Sequence, residues 1–174
     1  YFIANLKMYG NKKYVKSIKK VIDFKKKKKY AKVKIIYCPP YTLLSDFVNY
    51  TKSSSIDVGA QNCHQDEFSG SYTGSISSNM IKSIGAKYII IGHSENRISG
   101  DNNLIINKKI VSALNQKLNV IFCIGETLKE KKNNKTKSIL KKQVINGLKK
   151  VKKINKIIFA YEPVWCIGTG KIPK

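Results

Sequence analysis

Arginine is almost absent from this chain: of 34 basic residues, 33 are lysine and one is Arg97. Carboxylates are scarce too, 10 in 174 residues, which leaves a formal charge of +24. A specific phosphate reader leans on the planar guanidinium fork, and a single-strand binding groove interleaves aromatic rings with its basic runs. Neither feature is present, so no specific nucleic-acid partner is expected. The lysines travel with 25 isoleucines and 15 asparagines, the mixture that a biased coding composition adds to any surface. The run Lys25 to Lys29 reads as the solvated end of a helix, where cations suit the negative end of the dipole.

Long apolar runs are also missing. Nothing approaches the 18 or more residues of a spanning helix, so no membrane partner is expected. Cys38, Cys63, Cys123 and Cys166 stand far apart, with no C-x-x-C. They read as reduced, mostly buried thiols of an intracellular protein. No His, Cys or carboxylate pair has ligand spacing, so no metal is expected, and there is no nucleophile elbow.

What is present is enough apolar material, 42% of residues, for a packed core. Apolar runs at Tyr1–Ala4, Val33–Cys38, Ile56–Ala60, Tyr88–Ile91, Val120–Ile124 and Ile157–Ala160 read as strands. The fourth is continuously apolar, which predicts burial on both faces. Between them, helical spacing predicts helices over residues 11–29, around 43–48, 77–84, 103–117 and 134–151. The stripe of the fourth helix is read as Leu104, Ile105, Val111 and Leu114. Strands alternating with helices at roughly 30-residue spacing form βαβ units, hence one α/β domain over 1–174 with a parallel sheet, doubly wound or closed. Both architectures put their chemistry in the loops that follow the strands.

Lys7 follows the first strand, as a fixed positive charge or one more surface lysine. His93 follows the fourth, either a catalytic imidazole or a hydrogen-bonded structural one. Glu162 ends the sixth, a rare carboxylate given a defined direction by Pro163, as a base or as half of a buried salt bridge. Gly168 and Gly170 suit a mobile lid or an approach of backbone N–H groups to an oxyanion. Together these suit proton abstraction beside a carbonyl in a small anionic substrate.

Six collinear motifs carry a resemblance over the whole chain: Asn5-x-Lys7-Met8, Ala60-Gln61-Asn62, Tyr72-Thr73-Gly74, Gly92-His93-Ser94-Glu95, Cys123-Ile124-Gly125-Glu126 and Tyr161-Glu162-Pro163-Val164-Trp165-x-Ile167-Gly168-Thr169-Gly170-Lys171. In order and spacing they resemble the triosephosphate isomerases. The resemblance implies a (β/α)8 TIM barrel, of which this chain supplies the first six βα units, with strands seven and eight absent. It implies an aldose–ketose isomerase of glycolysis and gluconeogenesis, with no cofactor. Glu162 would move the proton between C1 and C2 of dihydroxyacetone phosphate and D-glyceraldehyde 3-phosphate. Neutral His93 would polarise the oxygens. Lys7 would offset negative charge, with Asn5 hydrogen-bonding nearby and Ser94, Glu95 and Cys123 in support. Pro163, Val164, Trp165, Cys166, Ile167, Gly168, Thr169, Gly170 and Lys171 would form the closing lid, Gly168 giving its N–H to the phosphate. The loop from Gln61 and Asn62 to Tyr72, Thr73 and Gly74 would reach into a second subunit of a homodimer.

Some residues depart from the family pattern. Leu6 and Tyr9 replace a usual Trp and Asn. Asn96-Arg97 stand where two arginines are common, which is expected to weaken a structural ion pair. Pro173 falls where the lid hinge usually has a small residue, which predicts a stiffer hinge. The 174 residues alone are expected to be inactive and aggregation-prone through open sheet edges. A cytoplasmic location is expected, with a plastid-type organellar copy as the alternative. The competing readings are a catalytically silent barrel relative, another phosphate-binding α/β enzyme, and a lysine-rich anion-binding module.

Overall fold

A computed structural model describes residues 1–170. Lys171 and Pro173, the end of the expected lid and its hinge, lie outside them. Six strands, β1 (Phe2–Asn5), β2 (Ile35–Cys38), β3 (Ile56–Ala60), β4 (Tyr88–Ile91), β5 (Asn119–Ile124) and β6 (Ile157–Tyr161), form one parallel sheet in chain order. A doubly wound sheet reverses its strand order at a switch point. This one never does, so it is the first six βα units of a TIM barrel, a curved half-barrel. Among the described residues β1 pairs only with β2 and β6 only with β5. Phe2 is largely exposed on that first edge, beside a groove of about 720 Å³ lined by Ala4, Val21, Phe24, Val33 and Tyr37.

Side-chain alternation along each strand builds two cores. Ile89 and Ile91 of β4 face the helices and pack with Phe47, Ile81, Ile106, Ile110 and Phe122. Tyr88 and Ile90 face the other way and meet Ile36, Cys38, Ile121 and Cys123 in the barrel interior. Each buried isoleucine contributes ~1.5–3 kcal/mol relative to exposure, so the unbroken run of β4 is what a strand with two buried faces requires. All four cysteines are free thiols, and three of them are buried.

The helices depart from their expected bounds in instructive ways. Residues 11–29 are broken into α1 (Lys12–Val15), a 3-10 turn and α2 (Lys19–Lys25). Lys25 is not a solvated cation: it is buried, and its Nζ donates to the carbonyls of Tyr30 and Ala31 at 2.9 and 2.8 Å. Only Lys26 to Lys29 are exposed. Pro40 precedes α3 (Tyr41–Thr51), and Ser77 caps α4 (Ser78–Ser83). A short helix absent from the sequence reading, α5 (Ser94–Ile98), follows β4 at once. In α6 (Asn103–Asn115) Leu104 is exposed, and the buried face is Ile106, Ile110, Ala113 and Leu114. Lys109 is buried on the same helix because Asp101 accepts from it at 2.7 Å and Asn62 Oδ1 at 3.1 Å. The helix expected over 134–151 is shorter, Thr136–Gly147, and a separate short helix that the sequence reading lacks precedes it. A Thr127–Glu130 capping box starts α7 (Leu128–Lys132), Asn134 turns the chain at φ 55°, and α8 (Thr136–Gly147) follows.

Candidate active site

The loops after β1, β3, β4, β5 and β6 converge at one end of the sheet. After β1, Asn5 Oδ1 accepts the Lys7 N–H at 3.0 Å. Lys7 itself sits in the left-handed region, φ 49°, a conformation that costs a non-glycine residue ~1–2 kcal/mol. Gln61, at the end of β3, holds it there: its Nε2 donates to the carbonyls of Lys7 (2.9 Å) and Cys38 (2.8 Å). The ammonium then reaches Glu95 Oε1 at 2.8 Å. That hydrogen bond pushes the Lys7 ammonium above its ordinary range, with partial burial working against it, so Lys7 is a cation.

After β4, Gly92 turns the chain at φ 78°. A side chain there would press on the Cys123 carbonyl at 3.0 Å. His93 follows, buried, as the N-cap of α5; its Nδ1 accepts the Glu95 N–H at 3.2 Å. An accepting Nδ1 carries no proton, so the hydrogen-bond pattern assigns the ring proton to Nε2. Nε2 lies 2.8 Å from Glu162 Oε1.

Glu162 is placed by β6, its N–H donating to the Ile124 carbonyl at 2.8 Å. The carboxylate is partly buried, and Oε2 accepts the Ser94 N–H at 3.2 Å. Burial pushes the carboxyl up, but the His93 contact and the Ser94 N–H outweigh it and hold it below its ordinary range. Behind it stands Gly125, whose N–H and carbonyl form a reciprocal pair with the Gln143 side chain, both at 2.9 Å. A Cβ on Gly125 would fall on the Glu162 carbonyl.

The segment expected to form the lid runs on from Pro163, which is buried, through a 3-10 turn over Val164–Cys166. Trp165 Nε1 donates to Glu126 Oε1 at 2.8 Å, and the Tyr161 hydroxyl donates to the same buried carboxylate at 3.1 Å. Lys131 Nζ stands 3.1 Å from the centre of the Trp165 ring. Ile167, Gly168, Thr169 and Gly170 are exposed, both glycines in the left-handed region (φ 70° and 69°). The front of this segment is thus tied to the β5 loop, while residues 167–170 are exposed.

The structure brings Asn5, Lys7, His93, Ser94, Glu95 and Glu162 together. Ser94 acts through its N–H. Cys123 is buried, its thiol pushed up to about 12 chiefly by burial, and it offers the site only its carbonyl. In the loop read as a dimer contact, Gln61 and Asn62 are bonded within the chain, to Lys7 and Lys109. Tyr72, Thr73 and Gly74 are the exposed part, Tyr72 resting on His64 with ring centres 4.1 Å apart. Gln61, Glu126, Lys131 and Gln143 also serve the site. Gln61 and Glu126 stand in two of the six motifs, but Gln61 is expected in the dimer loop and Glu126 carries no expected role, although it is one of only 10 acidic residues. Lys131 and Gln143 carry no such mark. Among the described residues no group of three or more His, Cys, Asp or Glu is placed to hold a metal ion.

A carboxylate, an imidazole N–H and an ammonium thus share one mouth, with an exposed glycine-containing segment following the carboxylate in the chain. That set can take a proton from a carbon next to a carbonyl and stabilise the oxyanion that forms. Comparison with known proteins agrees. The triosephosphate isomerase family model matches residues 1–174. The triosephosphate isomerase of Endomicrobium trichonymphae is 43% identical over 172 residues, 94% of this chain and 68% of that protein. That of Dictyoglomus thermophilum is 44% identical over 175 residues, 98% of this chain and 69% of that protein. The crystal structure of triosephosphate isomerase from Bartonella henselae superposes with a TM-score of 0.85 at 35% identity, covering 94% of this chain and 67% of that one.

Proposed function

Since the chain belongs to the triosephosphate isomerase family, we propose that it interconverts dihydroxyacetone phosphate and D-glyceraldehyde 3-phosphate through an enediolate. The observation that carries this is the 2.8 Å contact between His93 Nε2 and Glu162 Oε1, with Nδ1 occupied by the Glu95 N–H. It presents a neutral imidazole donor beside an ionised base, the pairing that this reaction uses. Glu162 leaves His93 and the Ser94 N–H to reach the substrate carbon. Without those partners, and in a dried site, its carboxylate becomes a stronger base. It carries the proton between C1 and C2 while His93 Nε2–H supports each oxygen in turn. The Lys7 ammonium offsets the growing negative charge.

Closure of residues 163–171 requires Trp165 to leave Glu126 and brings the Gly168 N–H to the phosphate, excluding water. Tyr72, Thr73 and Gly74 make the contact of a homodimer, and the enzyme serves glycolysis and gluconeogenesis in the cytoplasm. These 174 residues span about two thirds of their relatives and are inactive by themselves.

The test is Glu162→Gln in the protein as its natural gene encodes it. Loss of the base is expected to lower kcat by about 10²–10⁴-fold with the substrate still bound. An isomerase rate that survived the substitution would sink this reading.

A further inference from the structure

With 33 lysines filling its other cationic positions, the chain places its single arginine where β4 and β5 part. The ladder between those strands ends at Ile91↔Phe122. Beyond that point the link is a side chain. Arg97 Nε donates to the Gly92 carbonyl at 2.7 Å, Nη2 to the Cys123 carbonyl at 3.2 Å, and Nη1 to Asn103 Oδ1, on the first residue of α6, at 3.0 Å. The partners are two carbonyls and an amide oxygen, so the ion pair expected at this position is not what Arg97 makes. Three acceptors spread around one head suit the rigid planar fork; an ammonium, with its donors on a single nitrogen, cannot span them in the same way.

The two carbonyls belong to the two halves of the site. Gly92 immediately precedes His93, and a Cβ there would already crowd Nη2 at 3.1 Å. Cys123 lies two residues before Gly125, whose backbone lies against the Glu162 carbonyl. We propose that Arg97 is a positioning residue for the isomerisation: its guanidinium sets the spacing between the strand end that carries the electrophile and the loop that backs the base. It touches neither the substrate nor the reacting atoms. The claim rests on the isomerase reading above.

Arg97→Ala and Arg97→Lys in the natural protein test it, with steady-state kinetics and the ring 15N resonances of His93 as separate readouts. A displacement on the order of 1 Å costs about 10²-fold in rate. The expected result for Arg97→Ala is therefore a kcat lowered by about that factor, with KM moved less than about threefold. Added guanidinium, well below denaturing concentration, restores part of the rate, and methylammonium does not. Arg97→Lys stays impaired, and both variants shift the His93 resonances.

Wild-type kcat and unshifted resonances in a folded variant overturn the proposal. So does a loss that guanidinium relieves no better than methylammonium. Where Arg97→Ala does not fold, the kinetics and His93 spectrum of Arg97→Lys decide in the same terms. A wild-type protein without isomerase activity sinks the isomerase reading, and the His93 spectra still judge the spacing role by themselves.

Discussion

One methyl group added at Gly125 should disable the base without touching its carboxylate. Gly125 lies outside the left-handed region, so alanine is permitted there by backbone conformation and the obstacle is purely one of space. The new Cβ would stand 1.9 Å from the Glu162 carbonyl oxygen and 2.7 Å from its carbon. Ordinary contact begins at 3.4 Å, so one backbone or the other must retreat by about 1.5 Å. The neighbours that could yield are rigid atoms: the clash is with main chain, and Gln143 holds Gly125 by both its N–H and its carbonyl. Most of the movement therefore falls on Glu162 and Pro163 and carries the carboxylate off its 2.8 Å contact with His93. Overpacking of this kind costs ~1–3 kcal/mol of stability, and misplacement on the order of 1 Å costs about 10²-fold in turnover. The assay is kcat for glyceraldehyde 3-phosphate isomerisation in the natural protein, beside a thermal melt. A folded Gly125→Ala protein with kcat within about threefold of wild type would falsify the claim that this contact places the base.

Other outcomes follow from the same contacts. Because Glu162 is held below its ordinary range in the free enzyme, its carboxyl 13C resonance in the ligand-free protein should titrate below the usual glutamate range; a midpoint above that range refutes it. Asp57 is buried; desolvation pushes its carboxyl up, but Lys87 and Lys34, at 2.9 and 3.1 Å, outweigh this and hold it down. Its contribution is thus present above the ordinary aspartate range and lost as pH falls through the depressed value. Asp57→Asn should cost about 1–3 kcal/mol at pH 7, with the wild-type and variant melting curves converging in acid; parallel curves down to pH 3 would contradict this. Lys131→Met removes the cation over Trp165, a contact that contributes about 0.5–1 kcal/mol to the open lid. Binding of a non-reacting phosphate analogue should tighten about two- to fivefold, read from the emission of the only tryptophan in the chain; unchanged affinity rules out the latch.

Strand positions were legible because burial on two faces leaves its mark as an unbroken apolar run; Ile56–Ala60 and Tyr88–Ile91 match the observed strands to the residue. Helix continuity was less legible. The break near Lys16 falls in a lysine-rich stretch, where helical spacing alone does not resolve a local turn, and the five-residue α7 before Asn134 is too short for that spacing to reveal. Leu104 misled because an apolar residue in the first turn of a helix need not face the sheet. Lys7, His93 and Glu162 could be found since each directly follows a strand. The partners that orient them could not, because the Gln61 and Gln143 amides acquire a role only when residues 54 and 18 positions away in the chain come alongside. The tautomer of His93 was likewise out of reach. It depends on α5, a five-residue helix too short for hydrophobic periodicity to reveal.

Parallel pairing in strict chain order also dictates a schedule. Lys7 meets Glu95 across 88 residues, and Ser94 meets Glu162 across 68. A growing polypeptide emerges from the ribosome from its N-terminus, so the imidazole is in place well before its carboxylate partner is synthesised. Until β6 docks on β5, the half-made molecule holds Lys7 and His93 but lacks the Glu162 carboxylate that completes the cluster. The contact between His93 and Glu162 is therefore among the last of the cluster to form, which makes it a late and stringent reporter of correct folding.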